Sequence, residues 1–228
     1  VFLGLADRPA EAYEPVGVLA LLDVTVPDGL IAPLVLATVV TGVAATVGWR
    51  YRLVAPLFAL GVLVLTTLRS SGGQLLHFEN FMALFALVLA VSPAADAWSL
   101  VARRRHSDEH PTAPDVRYGH PLVVSSASVV TAYVIAGIAK LRYGGLGWID
   151  GDTLRNHIAS AAARLDLLGG TPAPLAELAV RADGLLVVAA IGTVVLELGA
   201  PLALLDRRLR DGWVGAVWLM HVGILLTM

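Results

Sequence analysis

Apolar residues in this chain come in long blocks separated by short polar stretches, without strict alternation and without confinement to one helical face. Crossing the hydrocarbon of a bilayer takes about 20 such residues. Six blocks approach that length: Leu30–Gly48, Leu53–Leu68, Asn80–Val101, Pro121–Lys140, Gly184–Leu205 and Trp213–Met228. The second is short, and the sixth is cut by the end of the chain. Val16–Leu22 is too brief to cross and is expected at the membrane surface. Asp150–Leu168 has a different rhythm, with Leu154, Ile158, Ala161, Leu165 and Leu168 at helical spacing and Asp152, Arg155, Asn156 and Arg164 between them. That spacing predicts an amphipathic helix lying flat in the headgroup region, capped by Asp152 or Thr153 and ended by Gly169-Gly170-Thr171-Pro172. The expected fold is all-α: a polytopic transmembrane helical bundle of about six spans plus one interfacial amphipathic helix, a single domain over residues 1–228.

Composition agrees with a membrane protein and removes several function classes. Hydrophobic residues make up 57% of the chain and charged residues 15%, with a mean hydropathy of +0.76, far from a soluble domain. A net charge of −2 leaves no footprint for nucleic acid, and the lack of cysteine excludes thiol catalysis and thiolate metal sites. His106-Ser107-Asp108-Glu109-His110 carries metal-capable residues but reads as a solvated linker, so no metal is expected. Basic residues concentrate in Arg50–Arg52, Ala102–His120 and Asp206–Gly212, which share one face if there are six spans; by the positive-inside rule that face is cytoplasmic. Arg69–Glu79 and Leu141–Asp183 then face outward. Abundant Ala, Val, Leu and Arg suggest a GC-rich bacterial genome and hence an inner (plasma) membrane. Val1 follows no charged leader and Met228 interrupts an apolar run, so both ends read as cuts in a longer protein.

Ionisable groups near apolar spans are costly to keep and tend to be functional. Lys140 is the only lysine in the chain, beside fifteen arginines, and it ends the Pro121–Lys140 block. An amine at the mouth of a membrane helix can lose its proton, because desolvation disfavours the charged form, whereas arginine stays charged. His77 stands just before the third block, either as an interfacial histidine that helps start a helix or as a partner to Lys140. Counting in from Leu205 and Trp213 puts Glu197 and His221 at equal depth on neighbouring antiparallel helices. They form an expected buried polar pair, a clasp between helices or a proton-handling couple. Asp96 reads as a helix terminator. Trp148 is an interfacial anchor or the wall of a pocket near Lys140.

Ser70-Ser71-Gly72-Gly73-Gln74-Leu75-Leu76-His77-Phe78-Glu79-Asn80, followed by Ser92-Pro93-Ala94-Ala95-Asp96-Ala97-Trp98-Ser99-Leu100, resembles the third-span region of HTTM proteins, bacterial relatives of vitamin K-dependent gamma-carboxylase. Tyr133–Gly151 is similar to the carboxylase segment that holds its catalytic lysine. Glu197 and His221 match a third block, where the carboxylase carries an acidic residue and a histidine. The resemblance runs from about Arg50 to the end of the chain. It implies a membrane site for a reduced quinone such as menaquinone or vitamin K hydroquinone. Lys140 would be the base that deprotonates it, His77 would assist, and Trp148 and Tyr133 would line its pocket. The expected activity is quinol-dependent carboxylation or oxidation of an unidentified substrate, with membrane lipid and an isoprenoid quinone as partners. Two departures are visible. Ala139 stands where the animal enzyme has a second lysine, and nothing matches its large lumenal domain. The alternative function is a non-catalytic membrane component or small-solute carrier, but a carrier is expected to show two related halves with broken helices, and no such duplication is seen.

Overall fold

Helix is the only repetitive structure among the residues that the computed structural model describes, 13–72, 77–97, 99–104 and 115–228. In chain order the helices are α1 (Gly17–Leu22), α2 (Asp28–Thr46), α3 (Tyr51–Ser70), α4 (His77–Ala90), α5 (Leu100–Arg104), α6 (Val116–Ala139), α7 (Leu146–Ile149), α8 (Asp152–Leu167), α9 (Ala176–Val180), α10 (Asp183–Leu198) and α11 (Arg207–Thr227). Two 3₁₀ turns, Ala94–Asp96 and Ala200–Leu204, and a π-helical turn, Lys140–Gly144, join them. Apolar surroundings explain the uniformity: a helix satisfies its own backbone N–H and C=O groups, as a membrane requires.

Four helical stretches are long and apolar enough to cross a membrane: Asp28–Thr46, Tyr51–Ser70, Val116–Gly144 and Arg207–Thr227. Of the six spans expected, four are full-length helices among the described residues, and the blocks at Asn80 and Gly184 give shorter helices. The second block, expected to be short, is a 20-residue helix, because it begins at Tyr51. The third and fifth blocks are the short ones. Helix α4 stops at Ala90, ahead of Ser92-Pro93, and α10 stops at Leu198, ahead of Gly199-Ala200-Pro201. Their 14 and 16 residues rise only about 21 and 24 Å at 1.5 Å per residue.

The chain divides into two compact units, 1–125 and 126–228, with the division inside α6. In the first unit α3 is the central helix, burying Val54, Ala55, Ala59, Leu65 and Leu68 among others. One apolar cluster joins Leu19, Ile31 and Leu68; a second joins Ala55 and Ala59 to Ala86 and Ala90 of α4. Small residues permit close approach of helices, as is common in membranes. A Cβ on Gly61 would collide with Thr38 Oγ1.

The second unit gathers its core around Ile158, Ala176, Ala179 and Leu186. Helix α8 confirms the predicted amphipathic segment, and Gly169, with φ +73°, follows its end. Its apolar stripe is not simply laid on lipid: Ile158 is buried against α9 and α10, and Leu154 and Ala162 pack beside it. The cap also differs from expectation. Asp150 Oδ1 accepts from Asp152 N–H at 2.9 Å, while Thr153 Oγ1 donates to Gly147 O. The Asp150-Gly151 turn holds the carboxylate in front of the helix, so the capping group comes from two residues earlier than predicted.

Candidate functional site

Helix α6 does not end cleanly at Ala139. Its backbone continues through the π-helical turn Lys140–Gly144, which is closed by Gly145 at φ +54°, ψ −138°. A side chain disfavours that backbone conformation, so glycine belongs there. Single π turns inside or at the end of α-helices recur at functional sites, because the extra residue re-aims the side chains around it. Here the turn begins on Lys140.

Lys140 Nζ donates to Glu197 Oε1 at 2.7 Å, bridging α6 and α10 across 57 residues of sequence. The lysine side chain is 20% exposed and the glutamate 7%. Gly137 brings the helices together: a Cβ there would lie 2.9 Å from Leu198 Cδ2 and 3.1 Å from Glu197 Cβ. Lys140 Nζ also stands 5.1 Å from the centroid of the Trp148 ring, within cation–π range. Trp148 packs on Gly144, and its ring lies 5.9 Å from that of His157. Two polar atoms in this cluster are buried without a hydrogen-bond partner, the acceptor Glu197 Oε2 and the donor Trp148 Nε1. Buried unpaired groups are expensive, and each such atom calls for an explanation.

The pair changes the chemistry expected of the lysine. Lys140 is not a solitary amine depending on desolvation alone; a carboxylate lies within hydrogen-bond reach.

The expected Glu197–His221 pair is replaced by this arrangement. Glu197 is buried, but His221 is exposed, and its Nδ1 donates to Val217 O at 2.9 Å on its own helix. Depth counting failed because α11 starts at Arg207, six residues before the assumed Trp213. Asp206 Oδ1 caps it by accepting from Arg208 N–H at 3.2 Å. Six residues shift the register by about 9 Å. Tyr133 and His221 do come together, with ring centroids 6.4 Å apart. Tyr133 also makes an edge contact with Trp213 at 5.1 Å, and Trp213 Nε1 donates to Leu196 O. Tyr133 thus joins an aromatic cluster between α6 and α11. His77 opens α4, and its side chain lies outside the described residues, as does the His106–His110 stretch.

An HTTM domain model matches residues 18–224. The chain belongs to the HTTM family. No curated protein and no solved structure matches it significantly. The HTTM match spans His77, Tyr133, Lys140, Trp148, Glu197 and His221, and together with the apolar helices it describes a membrane protein. Sequence reasoning missed one buried ion pair of this HTTM chain, between Arg69 at the end of α3 and Glu79 in the first turn of α4. Glu79 is 1% exposed, and an acidic residue ten positions after an arginine, across a helix junction, was the available signal.

Proposed function

We propose that this HTTM protein carries out quinol-dependent oxidative or carboxylating chemistry, with Lys140 as the base. The observation that carries the proposal is the Lys140–Glu197 pair, held in a π turn beside the Trp148 indole. The residues present fit a reduced quinone. Its hydroxyls both donate and accept, matching the unpartnered Glu197 Oε2 and Trp148 Nε1, and its ring suits an aromatic wall. Lys140, Glu197 and Trp148 would hold it. When bound, such a group supplies electrons for reaction with oxygen, a source of driving force for removing an unactivated proton.

The chain's own part is proton handling. Glu197 Oε1 takes a proton from Lys140 Nζ, leaving an amine whose lone pair can accept a proton from a bound hydroxyl; a base so placed contributes typically 10²–10⁴-fold. Trp148 places its ring 5.1 Å from Nζ, an apolar wall on one side of the amine. His77 is proposed to assist, as its family position implies. The Arg-rich helix ends, including Arg50, Arg52, Arg207, Arg208 and Arg210, are proposed to face the cytoplasm of a bacterial inner membrane.

The test is oxygen uptake and quinone-epoxide formation by purified protein in lipid nanodiscs supplied with menaquinol. Wild type should turn over, and Lys140→Ala and Lys140→Arg should each lose at least about a hundredfold. Arginine keeps the charge on Glu197 and cannot give up its proton. Full turnover by Lys140→Arg would remove the base; no turnover by wild type under any reductant would favour a non-catalytic membrane component.

A further inference from the structure

We infer that the first unit carries a binding site for the phosphate of an anionic lipid headgroup, built from Arg50, Arg52 and Arg117. These residues line a cavity of about 590 Å³ together with Tyr51, Ser92 and Asp96. It is a half-open cleft, which suits a headgroup that stays at the membrane surface. Three guanidiniums stand against Asp96 in the lining and Asp115, which pairs with Arg117, so the site keeps a net positive charge carried by Arg50 and Arg52. Arg50 and Arg52 form no ion pair among the described residues, and Arg117 meets Asp115 through Nε and Nη2, leaving further N–H donors. Planar guanidinium forks are well suited to phosphate oxygens.

The walls are tied in place by three bonds between segments distant in sequence. Leu100 N–H donates to Val47 O at 3.0 Å, Tyr51 Oη to Leu89 O at 2.7 Å, and Tyr118 Oη to Asp96 Oδ2 at 3.0 Å. They bind the α2–α3 turn, the end of α4 and the start of α6 around one space. Arg50 itself holds a left-handed backbone, φ +43°, ψ +42°, uncommon for a residue with a side chain and costly enough to suggest a purpose. No side chain caps α3, so the positive end of that 20-residue helix adds to the field of the arginines.

The geometry favours a lipid source for the phosphate. The cavity opens where α2 ends and α3 and α6 begin, at the termini of three helices long enough to span a membrane. Trp49 and Leu53 stand exposed beside it, 56% and 57%, as anchors at the level of headgroups do. Juxtamembrane arginines are drawn to anionic lipid in the same way.

Native mass spectrometry of the full chain provides the test, with short-chain phosphatidylglycerol, phosphatidylcholine of the same chain length, and inorganic phosphate as probes. Wild type should retain one phosphatidylglycerol and bind it at least tenfold more tightly than phosphatidylcholine. Arg50→Gln with Arg52→Gln should lose about tenfold or more, as expected for removing charge-assisted bonds. Asp96→Asn, which removes the repelling carboxylate but keeps an acceptor for Tyr118, should bind phosphatidylglycerol several-fold more tightly. Such a gain cannot come from misfolding. Equal retention of both lipids, or no change in both variants, would overturn the site. Inorganic phosphate binding as tightly as phosphatidylglycerol would assign it to free phosphate instead and refute the lipid source.

Discussion

The two buried ion pairs, one in each unit, look alike and differ in the one respect that matters for chemistry. Arg69–Glu79 and Lys140–Glu197 each join a cation about one-fifth exposed (24% and 20%) to a nearly buried carboxylate. In each the carboxylate uses Oε1 and leaves Oε2 buried without a partner. Arginine keeps its charge at any working pH, and the first pair ties α3 to α4. Lysine can in general serve as a base, the role proposed for Lys140. The surroundings differ in the same sense. Arg69 ends an α-helix, whereas Lys140 begins a π turn, faces an indole and packs beside a glycine contact between helices. Burying a charged pair does not by itself mark a site; the proposed function rests on the lysine, the π turn and the indole that only the second pair has.

Exchanging the cations is the strongest way to break this comparison. Lys140→Arg is expected to cut turnover by at least about 10²-fold while the thermal unfolding temperature stays close to wild type. Arg69→Lys should leave turnover within a few-fold. Equal activity losses in both variants would mean that the pairs play the same role. Removing a carboxylate alone comes next. Glu79→Leu should cost about 1–3 kcal/mol in detergent unfolding, because the charge-assisted hydrogen bond between α3 and α4 is removed. A double change, Lys140→Met with Glu197→Leu, should be neutral or stabilising by about 1–4 kcal/mol, since apolar groups of similar volume replace a costly pair. If the double variant instead unfolds readily, the second pair is structural too.

A smaller effect is expected from Gly137→Ala. The added methyl meets Leu198 and Glu197 at about 3 Å and should cost roughly 1–3 kcal/mol by overpacking, with turnover falling as Nζ and Oε1 are pushed apart. Unchanged stability would show that α6 and α10 approach less closely. The smallest effect belongs to Asp115, a partly exposed carboxylate that lies outside the pairs and serves as their control. Hydrogen bonds from the Arg117 side chain, and then from its backbone N–H, hold its carboxyl below the usual carboxylate range. A lowered native pKa stabilises the fold above the unfolded value and loses that contribution as pH falls through the native one. Asp115→Asn should therefore flatten a slight loss of stability on acidification below about pH 4. It should leave turnover at neutral pH unchanged.

Much of the fold was readable from the chain because helices in apolar surroundings are local objects. The blocks at Leu30, Leu53, Pro121 and Trp213 became α2, α3, α6 and α11, and the spacing of Leu154 and Ile158 announced α8. The misplaced boundaries were those governed by capping and breaking residues at a helix end: Asp206 starting α11 early, and Pro93 and Pro201 shortening α4 and α10. Lys140 stood out by composition alone. Its partner did not, since Glu197 lies 57 residues away and equal-depth reasoning assigned it to His221.

The sequence by itself therefore determined a helical membrane protein of the HTTM kind and singled out one lysine, because hydrophobic block length and residue identity are properties of short segments. Tertiary structure decided which carboxylate meets that lysine, that an indole covers it, and that His221 turns to its own backbone. Those choices depend on where a π turn aims one side chain and how closely a glycine lets two helices approach, and neither is written in the spacing along the chain.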